Sequence, residues 1–227
     1  MAARPLYLMI SRTGTGIGRM IRTLSRYPYN HVSLSLDPEL KQWVSFARYA
    51  EDIPLYGGFI TETPERYLAA GEDVQVRIFQ VEIEERRARQ LEDLFSRAGN
   101  RDYQLIYNTY DAIAAALGRR LSIPNAYTCL SFACAVLDLP CRSIQELDGC
   151  LSPRLFYEGS LSGLTADSGC RADAYFTPLG FFRGTWRTAK HFALLSHRAF
   201  RQHQPDLVSG CLQETNFGGN HQWNTEF

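Results

Sequence analysis

At Glu84 the spacing of apolar residues changes, and that change constrains the fold more than any other feature of the chain. Before it, apolar residues come in short blocks or alternate with polar ones. "PLYLMI" (5–10), "HVSLSL" (31–36), "QWVSFARY" (42–49) and "VQVRIFQVEI" (74–83) all read as strands. The alternation of the last blurs near Phe79, which a bulge or burial on both faces would explain. After Glu84 the period is helical. "EERRARQLEDLFSRAGN" sets Ala88, Leu91, Leu94, Phe95 and Ala98 on one stripe, with acids first and Gly99-Asn100 beyond the end. A second helix is expected over 103–118, closed by Gly118, and a third over 128–139, ended by Pro140. Strands first and helices after point to an α+β chain with no regular βαβ series.

The chain has 227 residues, 45% of them hydrophobic, enough for one globular domain with an appendage or for two small ones. Its 24 basic and 24 acidic residues cancel, so no global field argues for nucleic acid, and function must come from local sites. The N-terminal apolar run before Ser11 is too short for a signal-peptide core or a membrane span, so the expected location is cytoplasmic. Cysteines stand at 129, 134, 141, 150, 170 and 211 with no CxxC pair. Free thiols are therefore expected, and neither a metal nor a cofactor is. Composition shifts after 159, which places a first domain at 1–159 and an extension at 160–227, partly helical and loosely ordered at its end.

The run "TGTGIGR" (13–19) raises the possibility of a phosphate cradle. A dinucleotide fingerprint requires a strand and then GxGxxG opening a helix, whereas the spacing here is GxGxG. The following helix, expected over 20–27 with Ile21 and Leu24 on one side, is stopped by Pro28. A flexible turn is the simpler reading.

Cys129 offers different chemistry. A helix N-terminus favours a thiolate and supplies N–H groups to a developing oxyanion, and Asn125, Tyr127 and Thr128 precede the helix as turn and capping residues. Cys129 also shares a helical stripe with Phe132, Ala133, Val136 and Leu137, so plain core packing stands beside the nucleophile reading. Cys134, about 140° further round the helix, reads as packing. His31 lies on the strand face opposite Val32, Leu34 and Leu36, either as a base or as a solvated edge residue. Ser45 shares a face with Trp43 on the next strand; whether that is the His31 face depends on register.

"NHVSLSLD", "WVSFARYAEDIPLYGGFITE", "YTCLSFACAVL" and "LFYEG", in this order, resemble the circularly permuted branch of the NlpC-type papain-like superfamily, relatives of lecithin:retinol acyltransferase. The resemblance covers roughly residues 5–159. It implies a small antiparallel sheet packed against helices that include the cysteine helix, with Cys129 as nucleophile and His31 as base. The third polar residue maps to Ser45, a weaker acceptor than the acid or amide many relatives carry there, so a backbone carbonyl or a water could take its part, with Glu62 in "FITET" a substitute further off. The function implied is that of a thiol-dependent hydrolase or acyltransferase working through an acyl-enzyme on a peptide, isopeptide or acyl-lipid. The alternatives are a binding module that has lost efficient chemistry and, further off, a nucleotide-binding protein.

Three smaller features complete the reading. "GGF" (57–59) marks a tight turn entering a short strand, and Arg48 is either a substrate-anion contact or an edge residue. Residues 177–204 carry Arg183, Arg187, Lys190, Arg198 and Arg201 with no acid. Phe182, Trp186, Ala189 and Ala193 make a stripe there that either docks on the core domain or lies on an anionic membrane.

Overall fold

The computed structural model describes residues 3–68, 73–99, 105–116, 119–164, 174–201 and 205–213. Its frame is one sheet of eight strands: β1 (Ala3–Ser11), β2 (His31–Ser35), β3 (Trp43–Arg48), β4 (Gly57–Glu62), β5 (Gln75–Glu84), β6 (Ile106–Tyr107), β7 (Ala126–Tyr127) and β8 (Leu155–Ser160). They lie in the order β7-β6-β4-β3-β2-β1-β5-β8, antiparallel throughout except for the β6–β7 pair. Eight helices accompany them: α1 (Gly16–Ser25), α2 (Pro64–Leu68), α3 (Glu85–Gly99), α4 (Thr109–Ala116), α5 (Cys129–Leu137), α6 (Ile144–Leu151), α7 (Phe181–Phe200) and α8 (Leu207–Gln213). The chain is an α+β protein. No helix among the described residues is long and apolar enough to cross a membrane.

Alternation along the central strands divides the core in two. Leu6, Leu8 and Ile10 of β1, Val32 and Leu34 of β2 and Phe79 and Val81 of β5 point to the side covered by α3, α5, α6 and α8. Tyr7, Met9, Trp43, Val76 and Ile78 point the other way, under Tyr67 of α2 and Leu161. The blurred pattern near Phe79 is therefore regular alternation in a strand buried on both faces. The register irregularity lies between β5 and β8, where Ile78 pairs with Tyr157 and Phe79 with Leu155, so that the ladder steps over Phe156. The stripe predicted on α3 is the buried one: Ala88, Leu91, Leu94 and Ala98 face the core.

Several expectations need correction. The sheet is larger than foreseen, because β6, β7 and β8 add two residue pairs and an edge strand too short or too polar to stand out in the sequence. The helix expected over 103–118 begins only at Thr109. Ile106 pairs with Gly58 and Ala126 instead, and Asn108 caps the helix by accepting from the Asp111 N–H at 2.9 Å. The expected closure at Gly118 lies outside the described residues. The glycines at 57 and 58 form no turn; they open β4. A side chain on Gly58 would come 2.7 Å from the Leu105 carbonyl and collide with the Tyr49 hydroxyl. Helix α1 starts at Gly16, inside the glycine run, with Thr15 as its N-cap. A side chain on Gly18 would meet Asn30 and Thr13 within 2.8 Å, so that glycine permits close packing. The Gly18 N–H is already taken by Thr15 Oγ1 at 3.1 Å, which favours the turn over the phosphate cradle.

Residues after 160 add to the same core. Val208 and Leu212 of α8 join the cluster under α5, and Leu195 of α7 packs with Ile106, Ile123 and Ala126. The reading of the chain's end as loosely ordered falls on residues outside those described.

Candidate active site

Register decides which side chains meet. Leu34 pairs with Val44, so the opposite face of β2 and β3 carries His31, Ser33 and Ser45 together. Trp43 pairs with Glu62 and Ser45 with Ile60, which brings Glu62 to that same face from β4. The result is a buried polar cluster within the sheet.

Glu62 is its centre. One carboxylate oxygen, Oε2, faces His31 Nε2 at 3.1 Å and receives hydrogen bonds from Ser45 Oγ (2.8 Å), Ser33 Oγ (2.9 Å) and the Tyr67 hydroxyl (2.6 Å). The other, Oε1, lies 3.9 Å from Arg66 Nε. Ser45 Oγ is also 3.2 Å from His31 Nε2. An ionised carboxylate only accepts, so Nε2 carries a proton where it meets Glu62. The other side of the site is Cys129, which lies close enough to His31 to help raise the imidazole's pKa.

The charge states follow from these contacts. Burial by itself disfavours the charged imidazole of His31, but the Glu62 carboxylate, the neighbouring Cys129 sulfur and the Glu62 hydrogen bond outweigh it and push its pKa up to about 10. Burial likewise works against the Glu62 carboxylate. The adjacent His31 charge and hydrogen bond, then Arg66 and Tyr67, bring it down to about 2. Burial and the neighbouring carboxylate drive the Tyr67 hydroxyl well above its ordinary range, so it stays a donor. At neutral pH the site holds an imidazolium against a carboxylate.

Cys129 owes its place to local order at the start of α5. Thr128 is the N-cap: its hydroxyl accepts from the Ser131 N–H at 3.1 Å, while Ser131 Oγ accepts from the Thr128 N–H at 2.8 Å, a reciprocal capping box. The buried Asp111 carboxylate grips Arg120 through two nitrogens at 2.9–3.0 Å and accepts from the Leu121 N–H at 2.8 Å, which fixes the segment leading to the helix. Asn125 takes a left-handed backbone with φ 58°. Its side chain accepts from the Leu207 N–H at 2.7 Å, and Arg198 Nη1 donates to its carbonyl at 2.9 Å. Tyr127 donates to Asp206. Residues of α7 and of the turn into α8 therefore hold the approach to Cys129.

Around the thiol, the hydroxyl of the half-buried Tyr107 is pushed upward, first by burial and then by Cys129 and Asp111. His191 of α7 lies 3.5 Å from the Thr109 hydroxyl through Nε2, and burial lowers its basicity. Arg48 is committed to its neighbours: it donates to the Glu51 carbonyl at 3.0 Å and to the Tyr175 hydroxyl at 2.5 Å. The Arg66 guanidinium lies 4.3 Å from the centre of the Tyr175 ring. These contacts support the structural reading of Arg48. Cys134 and Cys141 are packing residues whose thiols are raised, chiefly by burial, to about 11 and about 12.

Of the three residues singled out in the sequence, His31 and Ser45 thus meet at Glu62, and Cys129 neighbours His31. The sequence treats Glu62 as a substitute for Ser45, yet both are present, with Ser45 bracing the acid. Ser33 was legible as a neighbour of His31 by alternation. Tyr67 and Arg66 carried no sequence signal, because the short helix α2 gives no periodicity to read.

No family model, curated protein or solved structure matches the chain.

Proposed function

We propose that this chain is a thiol-dependent hydrolase or acyltransferase that cleaves an amide or ester bond through Cys129, on a permuted papain-like fold in which the histidine and acid strands precede the cysteine helix. The observation that carries the reading is a histidine, His31, held 3.1 Å from the buried Glu62 carboxylate and neighbouring a cysteine at the start of a helix.

In this reaction Cys129 attacks as the thiolate, its proton gone to solvent because His31 is already protonated, and the sulfur forms a bond to the substrate carbonyl carbon. The Cys129 and Leu130 N–H groups, which neither capping bond uses, receive the oxyanion. The C–N or C–O bond then breaks, and the His31 imidazolium gives its proton to the departing amine or alcohol. Water, an amine or an alcohol attacks the thioester, giving its proton to His31 and releasing Cys129. Glu62 holds the imidazole's orientation through both steps and favours its return to the protonated form. The main sequence argument for an inactive binding module was a serine as the sole orienting group, and Glu62 supplies the stronger acceptor that argument lacked.

The test is a thiol-directed acyl probe applied to the full chain at neutral pH, with labelled cysteines mapped by mass spectrometry. Cys129 should label at least about tenfold faster than Cys134, Cys141 or Cys150, and His31→Ala should remove that advantage. Equal labelling across the cysteines would sink the proposal.

A further inference from the structure

Helix α7 has two faces of different character. The face that packs on the protein carries Gly184, His191, Leu195 and Arg198, all buried. A side chain on Gly184 would meet Ile53 at 2.5 Å, so the helix sits close to the body there. The opposite face, on a 100° wheel, carries Phe182, Trp186, Ala189, Ala193 and Phe200. Phe182 is 86% exposed, Phe200 91% and Trp186 63%, with Phe181 beside them at 80%. The stripe foreseen in the sequence is thus the solvent face, and the core is bound by the other side. At 1.5 Å per residue, Phe182 to Phe200 spans about 27 Å.

Charge selects what this face can meet. From 174 to 205 the chain has Arg183, Arg187, Lys190, Arg198 and Arg201 and no acid. Arg198 is buried, while Arg183 and Lys190 are exposed along one edge of the stripe, with the Lys190 ammonium 5.0 Å from the Trp186 ring. The neighbouring helices share the pattern. Tyr110 of α4 touches Phe192 and Ser196 of α7, and α4 also touches α1. Ile113 on α4 and Met20 and Leu24 on α1 are more than half exposed, and five arginines precede the first acid, Asp37. A second copy docking through this face would set like charges together. An anionic bilayer suits both halves of the pattern: rings at the acyl boundary and cations at the phosphates.

We infer that the outer face of α7 binds in the plane of an anionic lipid bilayer, using Phe182, Trp186 and Phe200 as the inserted side chains and Arg183 and Lys190 as phosphate contacts. This does not depend on the chemistry at Cys129, so Cys129→Ala should bind membranes like the wild type.

The experiment is co-sedimentation of the full chain with vesicles of phosphatidylcholine alone and of phosphatidylcholine mixed equally with phosphatidylglycerol. The wild type should partition onto the anionic vesicles and lose binding as salt rises. Phe182→Ser with Trp186→Ser, and separately Arg183→Glu with Lys190→Glu, should each weaken partitioning by about tenfold or more, with thermal unfolding midpoints unchanged because these side chains are exposed. Binding that ignores lipid charge, or that survives both double variants, overturns the inference. So does a wild-type dimer that the serine variant turns into a monomer, since the face would then serve self-association.

Discussion

Glu62 decides the charge of His31. Without the carboxylate, burial would be the leading influence on the imidazole and would favour its neutral form. In Glu62→Gln the ring should therefore titrate at lower pH than in the wild type. Nitrogen-15 NMR of labelled histidine reads this directly: the wild-type His31 ring should remain protonated at pH 8, and a neutral wild-type ring there would refute the assignment. Ser45 acts one step back, by donating to Glu62. A hydrogen bond to a charged acceptor contributes about 1.5–3 kcal/mol, so Ser45→Ala should cost roughly tenfold to a hundredfold in kcat/KM on a substrate found by the acyl probe. Glu62→Gln should cost about a hundredfold or more, since it removes the charge that sustains general acid–base transfer. If the serine variant proves worse than the glutamine variant, Ser45 rather than Glu62 is the principal orienting residue.

At the scale of elements, the site depends on the register of β2, β3 and β4 and on the start of α5. Gly57 and Gly58 let β4 lie against β3 and β6 without side chains between them. Gly58→Ala would press a methyl group on the Leu105 carbonyl and the Tyr49 hydroxyl, and overpacking of this kind costs about 1–3 kcal/mol. Urea unfolding should show that loss, while Gly16→Ala, where a side chain meets open space, should not. This contrast separates tight strand packing from a general intolerance of glycine replacement. The element boundaries divide in the same physical way. The stripe of α3 is set by contacts three and four residues apart, so it was legible in the sequence. The short strands β6 and β7 exist only because Gly58 and Ala126 approach Ile106 from distant parts of the chain, and local propensity had assigned that segment to a helix.

Across the whole molecule, the His31–Glu62 pair links stability to pH. His31 is raised from an ordinary 6.5 to about 10, so its contribution is fully present below about 6.5 and is lost as pH climbs through 10. Glu62 is lowered from an ordinary 4.5 to about 2, so its contribution is present above about 4.5 and is lost as pH falls through 2. The stability difference between wild type and Glu62→Gln, from urea midpoints, should be greatest between about pH 4.5 and 6.5 and shrink on both sides. A difference that stays flat with pH would mean the pair is not ionised as described. The same scale shows how the C-terminal residues are integrated: Arg198 and the Asp206 turn support the segment before Cys129, and Val208 and Leu212 fill the core beneath α5. Local order in the sequence determined that His31 shares a strand face with Ser33, that a capped helix begins at Cys129, and that α7 carries an aromatic stripe, because each rests on spacing along one segment. Tertiary structure alone decided that Glu62 reaches His31, that α7 turns its aromatic stripe to solvent, and that the extension braces the site. Those outcomes depend on strand register and on which of two eligible helix faces finds a partner, and neither is encoded in the spacing of any single segment.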